Sequence, residues 1–250
     1  MDITLIFFFV LAVGSMIFAL WNFPWLTKYY TLNVITFEIK ENSKILIVSD
    51  LHIKPSNITF KPLKKIIESK NIKYLVIAGD FIEYKHKKIE EEKLSKILAK
   101  ILRKLGIQEK LTIFYVPSNT SHDPKMPENT TLEINSTKIY ILNDVLKLDL
   151  RNFTLYITHG DYASRDGAIA STINRTLKLF GKKLFLEKLL KNVLKLERNS
   201  WLIMGHTHLP GIDSQNRVAN CGAWGRHFLR KESNTAILIE KGNIKLVRVE

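Results

Sequence analysis

The sequence predicts an α/β fold: a sandwich of two sheets flanked by helices, preceded by one N-terminal transmembrane helix. Three observations predict it. Continuous apolar runs of strand length recur in "KILIVSD" (Lys44–Asp50), "KYLVIAGD" (Lys73–Asp80) and "LTIFYVPSN" (Leu111–Asn119), the signature of strands buried on both faces. Helical patterns lie between these runs, giving a βαβαβ series and hence parallel pairing in the sheet. The residues from Ile3 through Thr27 carry no charged side chain and are apolar over nearly their whole length; roughly 20 such residues span a bilayer.

The first segment, residues 1–27, reads as an uncleaved anchor. Only Asp2 precedes the apolar run, whereas a signal peptide has a basic start and a shorter apolar stretch. Trp21 and Trp25 fall where an interfacial aromatic belt belongs. Lys28, Lys40 and Lys44 follow the span and no lysine or arginine precedes it, so the positive-inside rule places the bulk of the chain in the cytoplasm. Residues 28–43 form a linker and first strand region, and residues 44–250 form the main domain.

Within that domain, "PLKKIIESK" starts a helix on proline. In "IEEEKLSKILAKILRKLG", Leu94, Ile97, Leu98, Ile101, Leu102 and Leu105 recur at helical spacing and Gly106 stops the helix. "KIYILND", "VLKLDL" and "FTLYITHGD" read as short strands, the last two joined by a hairpin at Arg151–Asn152. "WLIMGHTH", "RVANCG", "TAILIE" and "IKLVRV" add four more. A basic, amphipathic helical insertion at 163–199 interrupts the strands; such helices lie on anionic membranes, cap a groove, or simply carry their lysines in water.

Composition bounds the function. A hydrophobic fraction of 46% and a charged fraction of 25% over 250 residues describe a globular chain rather than a disordered one. The formal charge of +14 favours an anionic partner: a phosphorylated substrate, nucleic acid or an acidic lipid surface. A single cysteine, Cys221, excludes an intrachain disulfide and a thiolate zinc cluster.

The ends of the apolar strands carry the chemistry. They read Asp50-Leu51-His52, Gly79-Asp80, Ser118-Asn119, His159-Gly160-Asp161 and His206-Thr207-His208. Open α/β sheets bind ligands at the carboxyl ends of their strands, and carboxylates, imidazoles and an amide emerging together suit a hard or borderline divalent metal. His206 and His208, at i and i+2, leave the end of an extended segment on the same side.

These motifs resemble the calcineurin-like metallophosphoesterase superfamily: Asp-x-His, Gly-Asp, Asn with a nearby His-Asp, His-Gly and Gly-His-x-His run in the family's order over about residues 44 to 225. "NCGAWG" (Asn220–Gly225) resembles the stretch after the last metal motif in many members. The resemblance implies a four-layer sandwich and a binuclear hydrolase. It implies that Asp50, His52 and His208 hold one cation, that Asn119, His159 and His206 hold the other, and that Asp80 bridges them. A metal-bridging hydroxide would then attack phosphorus. Mn2+ is favoured, with Fe, Zn2+ or Ni2+ admitted by the mixed N/O donor set.

One departure stands out. The family has Gly-Asn-His-Asp, but here the text is "PSNTSHD", so Thr120 and Ser121 separate Asn119 from His122. His122 is expected to serve the leaving group as proton donor or charge stabiliser, with Asp123 orienting its ring. Glu83, three residues after Asp80, has two readings, a carboxylate at the rim of the site and, preferred, a solvated loop carboxylate. The insertion after "HGD" is similar to that of UDP-2,3-diacylglucosamine pyrophosphatase-type hydrolases, which implies cleavage of a phosphodiester or pyrophosphate. A membrane anchor would suit a lipid-linked substrate of that kind. The alternatives are a nucleotide or nucleic-acid phosphodiesterase and, from another class, a non-catalytic metal-binding membrane scaffold.

Overall fold

The computed structural model describes residues 3–26, 33–40, 43–56, 62–85, 87–107, 110–119, 122–126, 129–225 and 232–249. The linker residues 28–32 and the pair Thr120–Ser121 lie outside the described residues. The chain begins with α1 (Ile3–Asn22), a short 3-10 turn (Pro24–Leu26) and β1 (Val34–Glu38), followed by β2 (Ile45–Val48), α2 (Pro62–Lys70), β3 (Tyr74–Ala78) and α3 (Glu91–Leu105). Next come β4 (Thr112–Val116), β5 (Thr130–Ile134), β6 (Thr137–Ile141), β7 (Val145–Asp149) and β8 (Thr154–Ile157). The helices α4 (Gly167–Leu179) and α5 (Phe185–Val193) precede β9 (Trp201–Met204), β10 (Gly211–Asp213), β11 (Val218–Asn220), β12 (Thr235–Glu240) and β13 (Asn243–Arg248).

The three apolar runs become β2, β3 and β4, parallel neighbours inside a seven-stranded sheet ordered β13-β12-β2-β3-β4-β6-β5. The other sheet is ordered β1-β7-β8-β9-β11-β10, with β8 and β9 parallel. All four residues of β2 are buried, because both faces of the strand meet apolar layers. Phe114, Ile45, Ile157 and Ile203 lie in the core between the sheets. Leu63, Leu94 and Leu98 from α2 and α3 pack against Leu46 and Leu75 on one outside face. Ala170 of α4 and Leu186 and Leu190 of α5 pack with Leu202 and Met204 on the other. Helix, sheet, sheet, helix is the resulting order of layers.

Local sequence explains the helix ends. In α3, Leu94, Leu98, Ile101, Leu102 and Leu105 are buried, Glu91 and Glu92 occupy the first turn and Arg103 and Lys104 the last, complementing the helix dipole. Gly106 closes it at φ 67°, where its N–H reaches the carbonyls of Arg103 and Leu102, a left-handed cap that suits glycine. Asp166 caps α4 by accepting from the N–H groups of Ala168 and Ile169. Two strands have no counterpart in the apolar pattern. β5 is an edge strand of "TTLEI" with only two buried residues, and β10 is an edge strand of three half-buried residues. Edge strands need little apolar sequence because one side faces water.

The transmembrane anchor expected over 1–27 is not a finding of the structure. Among the described residues no helix is long and apolar enough to cross a membrane; in α1 the side chains are described without a break only over 6–22. What is described is a helix of 20 residues with no acidic residue in its first turn and no basic residue in its last. Phe7, Phe8, Phe9, Val10 and Leu11 follow one another and all are exposed, so no side of that turn of helix packs on the rest of the chain.

Phe114 sits at the centre of the inter-sheet layer, with ring centroids 4.7 Å from Phe37 and 5.3 Å from Tyr140. Phe114→Ala is expected to cost roughly 3–5 kcal/mol of stability through lost contacts and a cavity, measurable as a lower urea midpoint with an unchanged slope.

Candidate metal centre

The ligand-bearing residues all follow strands of the two facing sheets, and their backbones turn sharply where the strands stop. Asp50 and His52 after β2, Asp80 after β3, and His206 and His208 after β9 adopt φ of 54°, 49°, 49°, 67° and 57°. Left-handed backbone at non-glycine residues costs roughly 1–2 kcal/mol each, so five instances at one place mark a site that the surrounding packing holds under strain. The effect is to swing successive side chains out of the pleat alternation and toward one point.

Two glycines make the approach possible. A Cβ on Gly79, at φ 79°, would stand 2.3 Å from His159 Nδ1, and one on Gly205 would stand 1.7 Å from Ser49 Oγ and 2.3 Å from Asp50 Oδ2. The loops after β3 and β9 therefore lie in contact with the ligands of β8 and β2.

Among the described residues, three groups of side chains are close enough to hold a metal ion: Asp50, His52 and His208; His52, Asp80 and His122; and Asp50, Asp80 and His159, with ligand atoms in each group within 4.8 Å of one another. Asp50 Oδ1 is 2.9 Å from His208 Nε2 and 3.9 Å from His52 Nε2. Asp80 Oδ2 is 3.5 Å from His159 Nε2, 3.8 Å from His52 Nε2 and 3.9 Å from His122 Nε2. Separations of 3.5–3.9 Å exceed a hydrogen bond but fit two donors that share a cation at bond lengths near roughly 2.1 Å. Asp80 Oδ1 is buried and accepts no hydrogen bond among the described residues, which is costly for a carboxylate unless a cation meets it.

His206 joins through His159. Its Nε2 lies 2.7 Å from the Ser164 carbonyl and its Nδ1 3.1 Å from His159 Nε2, while His159 Nδ1 is held by the Ala78 carbonyl at 3.0 Å. A carbonyl only accepts, so each ring donates to it. With its raised proton affinity, His159 donates its Nε2–H to His206 Nδ1 across 3.1 Å; a cation that takes the place of that proton meets a lone pair on each ring. The donors present therefore fit divalent metal ions.

The electrostatics agree. Burial pushes Asp50 up, but the imidazoles of His208, His159 and His52 hold it well below the usual carboxylate range. Burial and Asp50 also push Asp80 up, and His159, His52 and His122 bring it below its ordinary value. Burial opposes the charged form of His159, yet Asp80 and Asp50 raise it to about 9. Burial and the neighbouring His159 together bring His206 down to about 3. Two ionised carboxylates in a dry pocket draw positive charge from whatever is within reach.

The remaining expected residues fall differently. Asn119 stands exposed after β4, its backbone N–H donating to Asp161 Oδ2 at 2.5 Å. Asp123, expected to orient the ring of His122, directs its carboxylate at the backbone of the Asp80 loop. It is fully buried, and its carboxylate accepts from the backbone N–H groups of Asp80, Phe81, Ile82 and Ser118 at 2.7, 2.8, 3.0 and 2.8 Å. Four amide donors define it as a clamp on the loop that carries Asp80. The ring of His122 is met instead by Glu83, whose Oε2 is 3.2 Å from His122 Nδ1 and whose Oε1 is 2.8 Å from His52 Nδ1. Glu83 is thus no solvated loop carboxylate, and these two hydrogen bonds hold it well below its ordinary range. Burial disfavours the charged form of His122, but Glu83 and Asp80 raise it on balance.

A further buried acid carries no motif signal. Glu187 of α5 accepts from Asn174 Nδ2 and Asn220 Nδ2 at 2.8 Å each, and from Thr207 Oγ1 at 3.4 Å. Asn220 Nδ2 also reaches the Gly205 carbonyl at 2.7 Å. The helical insertion is thereby fastened to the loop between His206 and His208. In the sequence, the one acidic residue of α5, in the first turn of that helix, was the available trace.

A two-sheet α/β sandwich with carboxylates and imidazoles gathered at its strand ends defines a class of proteins built around a metal-type site. This chain belongs to the calcineurin-like phosphoesterase superfamily, whose domain profile matches residues 44–242. No curated protein matches its sequence. Similar solved structures include a single-mutant form of Vps29 from Entamoeba histolytica, at 15% identity and a TM-score of 0.40 over 82% of this chain and 98% of that one. Wild-type Vps29 from the same organism, complexed with Zn2+, matches at 15% identity and a TM-score of 0.39, with the same coverage. A predicted phosphoesterase from Streptococcus pneumoniae matches at 15% identity and a TM-score of 0.36, over 82% of this chain and 87% of that one.

Because a methyl group at residue 205 would displace Ser49 and Asp50, Gly205→Ala is expected to lower the affinity for divalent metal ions at least roughly tenfold, read by titration of the purified protein with a panel of such ions.

Proposed function

We propose that the chain is a metal-dependent phosphohydrolase that cleaves a phosphodiester or pyrophosphate bond. The observation that carries this reading is the convergence of Asp50, His52, Asp80, His159 and His208 into overlapping groups with ligand atoms within 4.8 Å. On this reading Asp50, His52 and His208 hold one cation, Asn119, His159 and His206 hold the second, and Asp80 lies between them. Two divalent cations, with Mn2+ favoured over Fe, Zn2+ or Ni2+, would supply Lewis acidity for the phosphoryl oxygens and a nucleophilic water at neutral pH.

The chain's own side chains supply the rest. Glu83 fixes Nδ1 of His122, so its Nε2 faces the cluster, 3.9 Å from Asp80 Oδ2. From there a protonated His122 can give its proton to the leaving oxygen. The raised affinity of His122 for a proton favours the acid form that such a donor needs. Asp123 prevents the Asp80 loop from relaxing, and Glu187 does the same for the loop of His206 and His208.

We propose further that α1 seats the domain at a bilayer, with the catalytic domain on the cytoplasmic side and a lipid-linked phosphate ester or diphosphate as substrate. Phe7 to Leu11 on α1 form an apolar run that is exposed throughout, and a large exposed apolar surface marks a contact with lipid or another protein. The similarity of the insertion to that of UDP-2,3-diacylglucosamine pyrophosphatase-type hydrolases supports the same substrate class.

The full-length chain in detergent is expected to hydrolyse bis-p-nitrophenyl phosphate only with added Mn2+, and Asp80→Asn to reduce this to background. Metal-free turnover, or no turnover by a protein with two cations bound, would count against the reading; the rate with p-nitrophenyl phosphate separates diester from monoester preference. Glu83→Gln is expected to lower kcat about 10–100-fold while retaining bound metal. The membrane placement is checked by alkaline carbonate extraction, in which the chain should stay with the membrane pellet; release into the supernatant would remove the anchor.

A further inference from the structure

Outside the ligand cluster, the junction between the end of α1 and the loop 163–166 is built like a joint. Asn22, the last residue of α1, is fully buried although most of the helix is exposed. Its Nδ2 donates to Ser164 Oγ at 3.1 Å, its Oδ1 accepts from the Asp166 N–H at 3.2 Å, and its backbone carbonyl accepts from the Arg165 N–H at 2.8 Å. Trp25 Nε1 donates to the Ala163 carbonyl at 3.0 Å, and the guanidinium of Arg165 lies 5.6 Å over the ring of Trp21. Every residue from 163 to 166 is therefore held by the end of α1 or the turn that follows it.

The same loop reaches the candidate metal centre from its other side. The carbonyl of Ser164 receives His206 Nε2 at 2.7 Å. That hydrogen bond sets both the tautomer and the rotation of the ring, and so directs Nδ1 at His159 Nε2, 3.1 Å away. A metal-binding imidazole depends on such an outer partner for its orientation, and here the partner is itself positioned by Asn22.

We infer that Asn22 is a positioning residue for His206, acting through Ser164, so that the docking of α1 sets how tightly one of the two cations is held. The inference rests on the binuclear reading given above. Without the Asn22 amide, the Ser164 hydroxyl and the Asp166 N–H lose their partner, and the loop is held to α1 at this point by the backbone bond from Arg165 alone, so the Ser164 carbonyl directs the His206 ring less tightly. The cation held by Asp50, His52 and His208 has no ligand on this loop and keeps its geometry.

The test titrates Mn2+ into the full-length chain in detergent by calorimetry, with thermal unfolding of the same metal-free samples. The wild type is expected to take two equivalents. Asn22→Ala is expected to weaken one of them about 10–100-fold and leave the other within about twofold. Asn22→Asp should restore it in part, because its carboxylate still accepts from the Asp166 N–H, whereas the Ser164 hydroxyl must leave the Asp166 carbonyl to donate to it. Ser164→Ala, which keeps the carbonyl and removes the hydroxyl, should reproduce the selective loss should Asn22→Ala not fold. Two unchanged equivalents in Asn22→Ala would overturn the inference, as would equal weakening of both with a lowered midpoint that Asn22→Asp does not repair. A wild-type chain that binds no Mn2+ would instead overturn the binuclear reading itself.

Discussion

Everything at the strand ends depends on keeping Asp50 and Asp80 ionised while both are buried. Their carboxylates belong to one group with His159, with ligand atoms within 4.8 Å, and each is almost without contact with solvent. Like charges at that separation repel strongly where water is excluded. Burial favours their protonation, and positive charge together with hydrogen-bond donors reverses that. The imidazoles of His52, His159 and His208 stand around the two acids as the nearest sources of it, and the spacing of their ring nitrogens leaves room for cations. The strained backbone at five of the ligand residues follows from the same constraint, since regular strands would send alternate side chains to opposite faces.

Strain of this kind persists only where neighbouring groups hold it. Asp123 accepts four backbone N–H groups and so takes the loop of Asp80 out of contention for other conformations. Trp224 and Gly225 donate their N–H groups to the Asp50 carbonyl at 3.0 and 2.9 Å, and Ser49 and the N–H of His206 both donate to Asp50 Oδ2. Glu187 ties the β9 loop to α5. The stretch "NCGAWG" thus works as scaffolding: Asn220 holds the Gly205 carbonyl, and Trp224 anchors the return of the chain through its indole N–H to the Thr235 carbonyl.

The parts of the fold that bury apolar surface on two faces were legible in the sequence, because β2, β3 and β4 write that burial as unbroken runs and α3 writes it as a helical repeat. The edge strands β5 and β10 were not, since a half-exposed strand of three to five residues leaves no run to detect. At the site, the ligand types could be read because each follows a buried strand. The partners of those ligands could not, for a reason that is general: orientation comes from residues distant in sequence. Glu83 reaches His52 across 31 positions, Asn220 reaches Glu187 across 33, and Asn22 reaches Ser164 across 142. No local pattern records such pairings.

The displacement of His122 shows how the chain absorbs a departure from the family motif. With two residues between Asn119 and His122, the acid beside the histidine could no longer serve the ring as well as the backbone, and Asp123 serves the backbone of the Asp80 loop. The ring is supported from that same loop instead, by Glu83, whose two oxygens divide between His122 and His52. A single carboxylate therefore links the proposed proton donor to a proposed metal ligand, which stand edge to face with ring centroids 4.7 Å apart. Since Asp123 holds the N–H groups of Asp80, Phe81 and Ile82, it also fixes the turn from which Glu83 projects. The acid that follows His122 thus acts on the ring through the loop that carries Glu83.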